Sequence, residues 1–185
     1  MGCGCGKKNG VAAPTPVLQT DQLLAPTEWG PILWKYIHCI AERIGASGNK
    51  IIDTDQANYT ETLLTMLPLI IPCTECQTHA TTYLAANPVP SLKGLYGAEL
   101  RQIVRVWAYD FHNAVRAMKE QPILISSVED CQTFYSTISV PKCEYTAFIQ
   151  SVAAAVRQGW VKIENWRKWY SNSERIRIIT GNIII

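Results

Sequence analysis

Residues 100–118 read LRQIVRVWAYDFHNAVRAM, and this stretch decides the fold class. Leu100, Ile103, Val104, Trp107, Phe111, Val115 and Met118 recur at steps of three and four, which lines them up on one stripe of an α-helix. Such a stripe is buried only against neighbours, and the sequence upstream supplies three. The run TEWGPILWKYIHCIAERI, between the cap Thr27 and Gly45, places Trp29, Leu33, Ile37, Ile40 and Ile44 at helical spacing. Its Pro31 falls in the first turn, where a missing N–H does no harm. A second helix is expected after Asp53 or Thr54, burying Tyr59, Leu63, Met66 and Leu67 and ending near Pro68. A third begins at Cys73, directly behind Pro72, and runs to about Ala86. Helices with one apolar face each, joined by short loops, pack as a bundle.

The sequence downstream is less regular. Ser126 or Ser127 caps a short helix through Cys131 and Tyr135, Glu144 to Arg157 reads as an Ala-rich helix, and Trp160 to Tyr170 as another. The ending RIRIITGNIII alternates Arg with Ile and then turns apolar, the pattern of a short strand or an extended docking tail, which needs an edge or groove to receive it. The expected fold is therefore all-α: a four-helix bundle over residues 26–122, additional C-terminal helices over 123–185 with a short extended tail, and a flexible arm over 1–25, where Gly, Pro, Ala and Thr predominate.

Composition narrows the function. The chain has 185 residues, of which 48% are hydrophobic and 17% charged, enough apolar surface to fold without help. A net charge of +2 produces no field that would hold a polyanion, so nucleic acid is not an expected partner. The longest apolar run, Leu63 to Ile71, is broken by Pro68 and is too short to span a bilayer. Seven cysteines stand in a chain whose N-terminus, MGCGCGKKNG, lacks the apolar stretch of a secretory signal. That combination points to redox chemistry or metal binding and to a cytoplasmic location.

Cys73-Thr74-Glu75-Cys76 is a CxxC at the start of a helix. Free N–H groups and the positive helix end favour a thiolate there, and the spacing permits a disulfide within one turn. A pair able to be both is suited to electron exchange. The rival is zinc, with His79 three residues after Cys76 and His38, Cys39 or His112 as a fourth ligand. Against it, adjacent residues such as His38 and Cys39 point in different directions on a helix. Two further clusters flank the CxxC: Trp34 and His38, four apart on the first helix, and Trp107, His112 and Asn113 on the fourth. Planar rings to stack, with a few polar groups to orient, are what a bound aromatic cofactor requires.

In their order and separation, WGPILWKYIH, PCTEC and VWAYDFHNAV resemble the Erv/ALR family of FAD-linked sulfhydryl oxidases, over residues 28–122. The resemblance implies a helical bundle holding FAD, with Cys73 and Cys76 as the redox pair. It implies that Trp34, His38, Trp107, His112, Asn113 and Val115 line the flavin. It further implies thiol-bearing protein substrates, O2 reduced to hydrogen peroxide, and association as a homodimer. Arg116 stands where the family has a second Asn, and Lys119 lies near a turn that reads EQP instead of GKP; either could meet the cofactor's pyrophosphate. Ala85 occupies the place of a cysteine that family members bridge to one after the fourth helix, leaving Cys131 to pair with Cys143 or stay free. Cys3-Gly4-Cys5 reads either as a mobile shuttle pair or, with Gly2 and Lys7-Lys8, as a dual acylation signal that attaches the chain to a membrane. Family members of large DNA viruses suggest action in the host cytosol or packaging in the virion. The rival readings are a non-catalytic virion or membrane-associated scaffold that keeps the fold, and a zinc-bound interaction module. The basic and aromatic residues from Arg157 to Arg177 are read as a docking surface.

Overall fold

A computed structural model describes residues 23–181 and 183–185. It is all-helical among these residues: α1 Pro26–Arg43, α2 Lys50–Thr65, α3 Leu67–Ile70, α4 Thr74–Ala86, α5 Gly97–Met118, α6 Val128–Ser136, α7 Lys142–Arg157 and α8 Ile163–Thr180. The hub is α1, whose residues from Tyr36 to Glu42 are all buried. A helix hydrophobic or buried all round must be central. Helices α5, α6 and α7 pack around α1, and α8 lies along α2.

Local chemistry explains most of the boundaries. α1 opens one residue before the expected Thr27, because Pro26 suits the first helical position and the Glu28 carboxylate accepts the Ala25 N–H at 2.7 Å. α2 starts at Lys50 and not after Asp53: Asn49 Oδ1 accepts the amides of Ile51 at 2.9 Å and Ile52 at 3.4 Å. Asp53 serves a different helix end. Its buried carboxylate accepts the Gly97 N–H, the first of α5, at 2.9 Å and so ties α2 to α5. At the C-terminus of α1, Gly45 adopts φ +65°, and the Ile44 and Gly45 carbonyls accept from Arg101 at 3.1 Å each.

The ending differs from the alternating reading. Arg175–Thr180 continue α8, because Trp169, Ser173 and Ile176 form a buried helical stripe that outweighs the Arg-Ile alternation. Only past Gly181 does the chain extend, with Ile183 buried and a parallel bridge between Val140 and Ile184. α8 is fixed by buried hydroxyls: Ser173 Oγ lies 2.6 Å from Tyr36 Oη and 2.7 Å from Tyr145 Oη. No described helix is long and apolar enough to cross a membrane.

Candidate functional site

The CxxC sits where the sequence places it. Pro72 precedes an extended Cys73 that acts as the N-cap of α4, and Cys73 Sγ accepts the Cys76 N–H at 3.2 Å. The two cysteines form a disulfide with a Cα–Cα distance of 5.2 Å, and both are half-buried. Gln77, the next residue, fixes the turn. Its Nε2 donates to Ile71 O at 2.8 Å and to Trp160 O at 3.2 Å, joining the start of α4 to the α7–α8 link.

Trp34, His38 and His112 converge between α1 and α5. The His112 ring stacks flat on Trp34, with centroids 4.2 Å apart and planes 8° apart, and His38 Nε2 lies 3.0 Å from His112 Nδ1. Phe111 meets Trp34 edge-on at 5.1 Å and stacks on Tyr83 of α4 at 4.6 Å, so a continuous row of rings joins the helix that begins at the CxxC to the histidines. Asn113, Arg116 and Tyr109 border the same place, around a cavity of about 20 Å3, enough for one water. α6 closes the far side. Tyr135 stacks on His38 at 4.3 Å, and Cys131 Sγ lies 3.5 Å from His38 Nδ1.

Burial governs the charges here. It lowers His38 to about 3, helped by the neighbouring His112, and lowers His112 to about 4, helped by the Arg116 guanidinium. It pushes the Cys131 thiol up to about 11 and Tyr135 up to about 12. Both imidazoles and the thiol are therefore neutral near pH 7. Below them Glu42 and Arg105 form a buried pair with two contacts of 2.7 Å.

Of the residues singled out by sequence, Trp34, His38, His112, Asn113 and Arg116 come together, and Cys73 and Cys76 are bonded. Trp107 is buried one turn away against Phe111, and its Nε1 has no partner. Val115 is half-buried against the core. Arg116 Nε donates to Pro122 O at 2.6 Å, while Lys119 is exposed at the end of α5 and does not border the cavity. Gly2, Cys3 and Cys5 lie outside the described residues. Cys131 is buried and free and Cys143 exposed and free, so the two are not paired. His79, the candidate third zinc ligand, is half-buried with an unpartnered Nδ1, and no group of three metal-ligating side chains occurs among the described residues. Sequence reasoning missed Tyr83, Tyr109 and Tyr135 as site residues. The i, i+4 spacing of Cys131 and Tyr135 was the available signal for α6.

The sequence pattern of the Erv1/Alr family matches residues 31–138, from the first turns of α1 to just beyond α6. An FAD-linked sulfhydryl oxidase of African swine fever virus is 29% identical over 122 residues, covering 63% of this chain and 87% of that one. A candidate FAD-linked sulfhydryl oxidase of Invertebrate iridescent virus 6 is 27% identical over 105 residues, covering 56% and 89%. Another, from Invertebrate iridescent virus 3, is 25% identical over 99 residues, covering 54% and 61%. No solved structure matches the chain. With the helical bundle, the CxxC at the head of α4 and the Trp-His cluster all inside the matched span, the chain belongs to the Erv1/Alr family.

Proposed function

We propose that this protein is an FAD-dependent thiol oxidase that makes protein disulfides and delivers the electrons to O2. The observation that carries the reading is the Cys73–Cys76 disulfide, half-buried at the positive end of α4, and joined by a row of rings to a Trp-His cluster. The donor set suits a flavin nucleotide: an indole face on Trp34, two neutral imidazoles, the Asn113 amide, the Arg116 guanidinium and the unpartnered Trp107 Nε1. The space between them is closed in this conformation. A cavity of about 20 Å3 admits a ring system only when His112 leaves the Trp34 face or the segment after α5 moves.

The protein's own part is thiol–disulfide exchange. A substrate thiolate attacks Cys73 Sγ, forming a mixed disulfide and expelling the Cys76 thiolate. A second substrate thiolate then attacks the substrate sulfur of that bond, releasing the product disulfide and the Cys73 thiolate. The Cys76 N–H at 3.2 Å and the helix end favour that leaving group. Two electrons have then passed to the pair, which stands as two thiolates, the substrate thiols having given up their protons before attack. Bound FAD would accept those electrons and reduce O2 to hydrogen peroxide. By family analogy Cys76 is the cysteine on the flavin side.

We also propose the Cys3–Cys5 arm as a shuttle or an acylated anchor. Homodimers would have to use faces other than those α7 and α8 cover on α1 and α2.

The test is a visible spectrum of the purified full chain. A flavin band bleached by dithiothreitol and restored by air is expected, and Cys76→Ser should keep the colour while oxygen uptake stops. Unchanged turnover in that variant overturns the assignment of the pair. The closed cavity favours one alternative, a scaffold that keeps the fold without flavin, and a protein that stays colourless with added FAD would select it.

A further inference from the structure

Four groups from three helices meet in an order that invites a proton count. Cys131 Sγ of α6 is 3.5 Å from His38 Nδ1 of α1, and His38 Nε2 is 3.0 Å from His112 Nδ1 of α5, while the Trp34 face holds the His112 ring. Cys131 and His38 are each 2% exposed, so bulk solvent does not reach the inner end of this chain, although both side chains border the same small cavity as His112. At the outer end His112 is half-buried and borders the small cavity with Asn113 and Arg116.

Each contact needs one donor and one acceptor. Neutral imidazole carries a single N–H, and both rings are neutral near pH 7 because burial holds them far below the ordinary histidine value. Two directions are then possible. Running outward, Cys131 S–H donates to His38 Nδ1, His38 Nε2–H donates to His112 Nδ1, and His112 Nε2–H faces outward. Running inward, His112 Nδ1–H donates to His38 Nε2 and His38 Nδ1–H donates to sulfur, a weak acceptor. The buried thiol proton is then left with no acceptor among the described contacts. Counting protons among these contacts favours the outward direction, in which the His112 Nε2–H is the one N–H of the two rings that neither contact uses, on a residue that borders the cavity.

We propose that Cys131 is a positioning residue: its thiol proton fixes the tautomer of His38 and, through it, that of His112, so that His112 presents an N–H donor to the cofactor site. The identity of the ligand rests on the oxidase reading, while the tautomer assignment does not. A donor at His112 Nε2 suits an acceptor atom, such as a ring nitrogen or phosphate oxygen of a nucleotide. The residue does this without touching the ligand, and it explains why a cysteine without a bonding partner occupies the buried face of α6.

Long-range 1H–15N correlation spectra of the full chain at pH 7 report which nitrogen of each histidine carries the proton. The wild type should show Nε2–H at both His38 and His112. Cys131→Ser, which keeps a donor, should retain that pattern. Cys131→Ala, which removes it, should shift one or both rings toward Nδ1–H. An Nδ1–H at either ring in the wild type, or identical spectra for wild type and the alanine variant, overturns the proposal. FAD added to the same samples and followed by quenching of its fluorescence should bind about fivefold more weakly to Cys131→Ala than to Cys131→Ser, the size expected for one misdirected hydrogen bond. Equal affinities overturn the link to the ligand. A wild type with the expected tautomers that binds no FAD would refute the oxidase reading and leave the tautomer assignment standing.

Discussion

Glu42 of α1 holds Arg105 of α5 through two hydrogen bonds of 2.7 Å, with the two side chains only 3% and 7% exposed. A carboxylate and a guanidinium this dry are tolerable only together. Glu42→Gln leaves the guanidinium buried without its counter-charge and should destabilise the fold by about 3–5 kcal/mol in urea unfolding. The double variant Glu42→Leu with Arg105→Met should recover most of that loss. Additive losses would show that the pair is not one energetic unit.

Acidification should weaken the fold through the two histidines. Their folded values, about 3 for His38 and about 4 for His112, lie below the ordinary histidine value of about 6.5 that the unfolded chain approaches. The unfolded state therefore binds more protons between these limits. Stability should rise with pH from about 4 to 6.5, at ~1.4 kcal/mol per pH unit for each histidine, and level off above. Denaturant midpoints measured across this range check it, and His112→Gln should flatten the slope.

Ser173 anchors α8 by accepting from or donating to two buried tyrosine hydroxyls, at 2.6 and 2.7 Å. Burial pushes both phenols well above the ordinary tyrosine value, so they stay protonated and need partners. Ser173→Ala should cost about 1–3 kcal/mol. Hydrogen exchange should show the loss first in α8, with the amides of α5 protected as before.

A methyl group at Gly45 would stand 2.1 Å from Gly97 O, at a backbone φ of +65°. Gly45→Ala should therefore destabilise by roughly 3 kcal/mol, since the left-handed strain adds to a backbone shift. Gly48→Ala, with a φ of +69° and open space around it, isolates the strain alone and should cost less.

The family-defining half of the molecule was legible because its signals are local. Period-3.6 stripes, a proline before a CxxC and histidines one turn from a tryptophan survive any tertiary arrangement. What was illegible depends on contacts between distant residues. Asp53 reads as a cap for its own helix, yet its partner is Gly97. Arg175 to Ile179 alternates like a strand, and only the seat of Trp169 and Ile176 among α1, α2 and α7 makes it helical. Cys131 reads as a cysteine that either pairs with Cys143 or stays free, because nothing in a linear sequence brings it to His38. The closure of the ring cluster by Tyr135 belongs to the same class of long-range effect.

The last residues have a practical bearing. Ile185 N–H donates to Val140 O at 3.0 Å and Ile185 O accepts from Lys142 N–H at 2.6 Å, where α7 begins. Any affinity tag or reporter fused behind Ile185 would tug on the seam between α6 and α7, next to the element that stacks on His38.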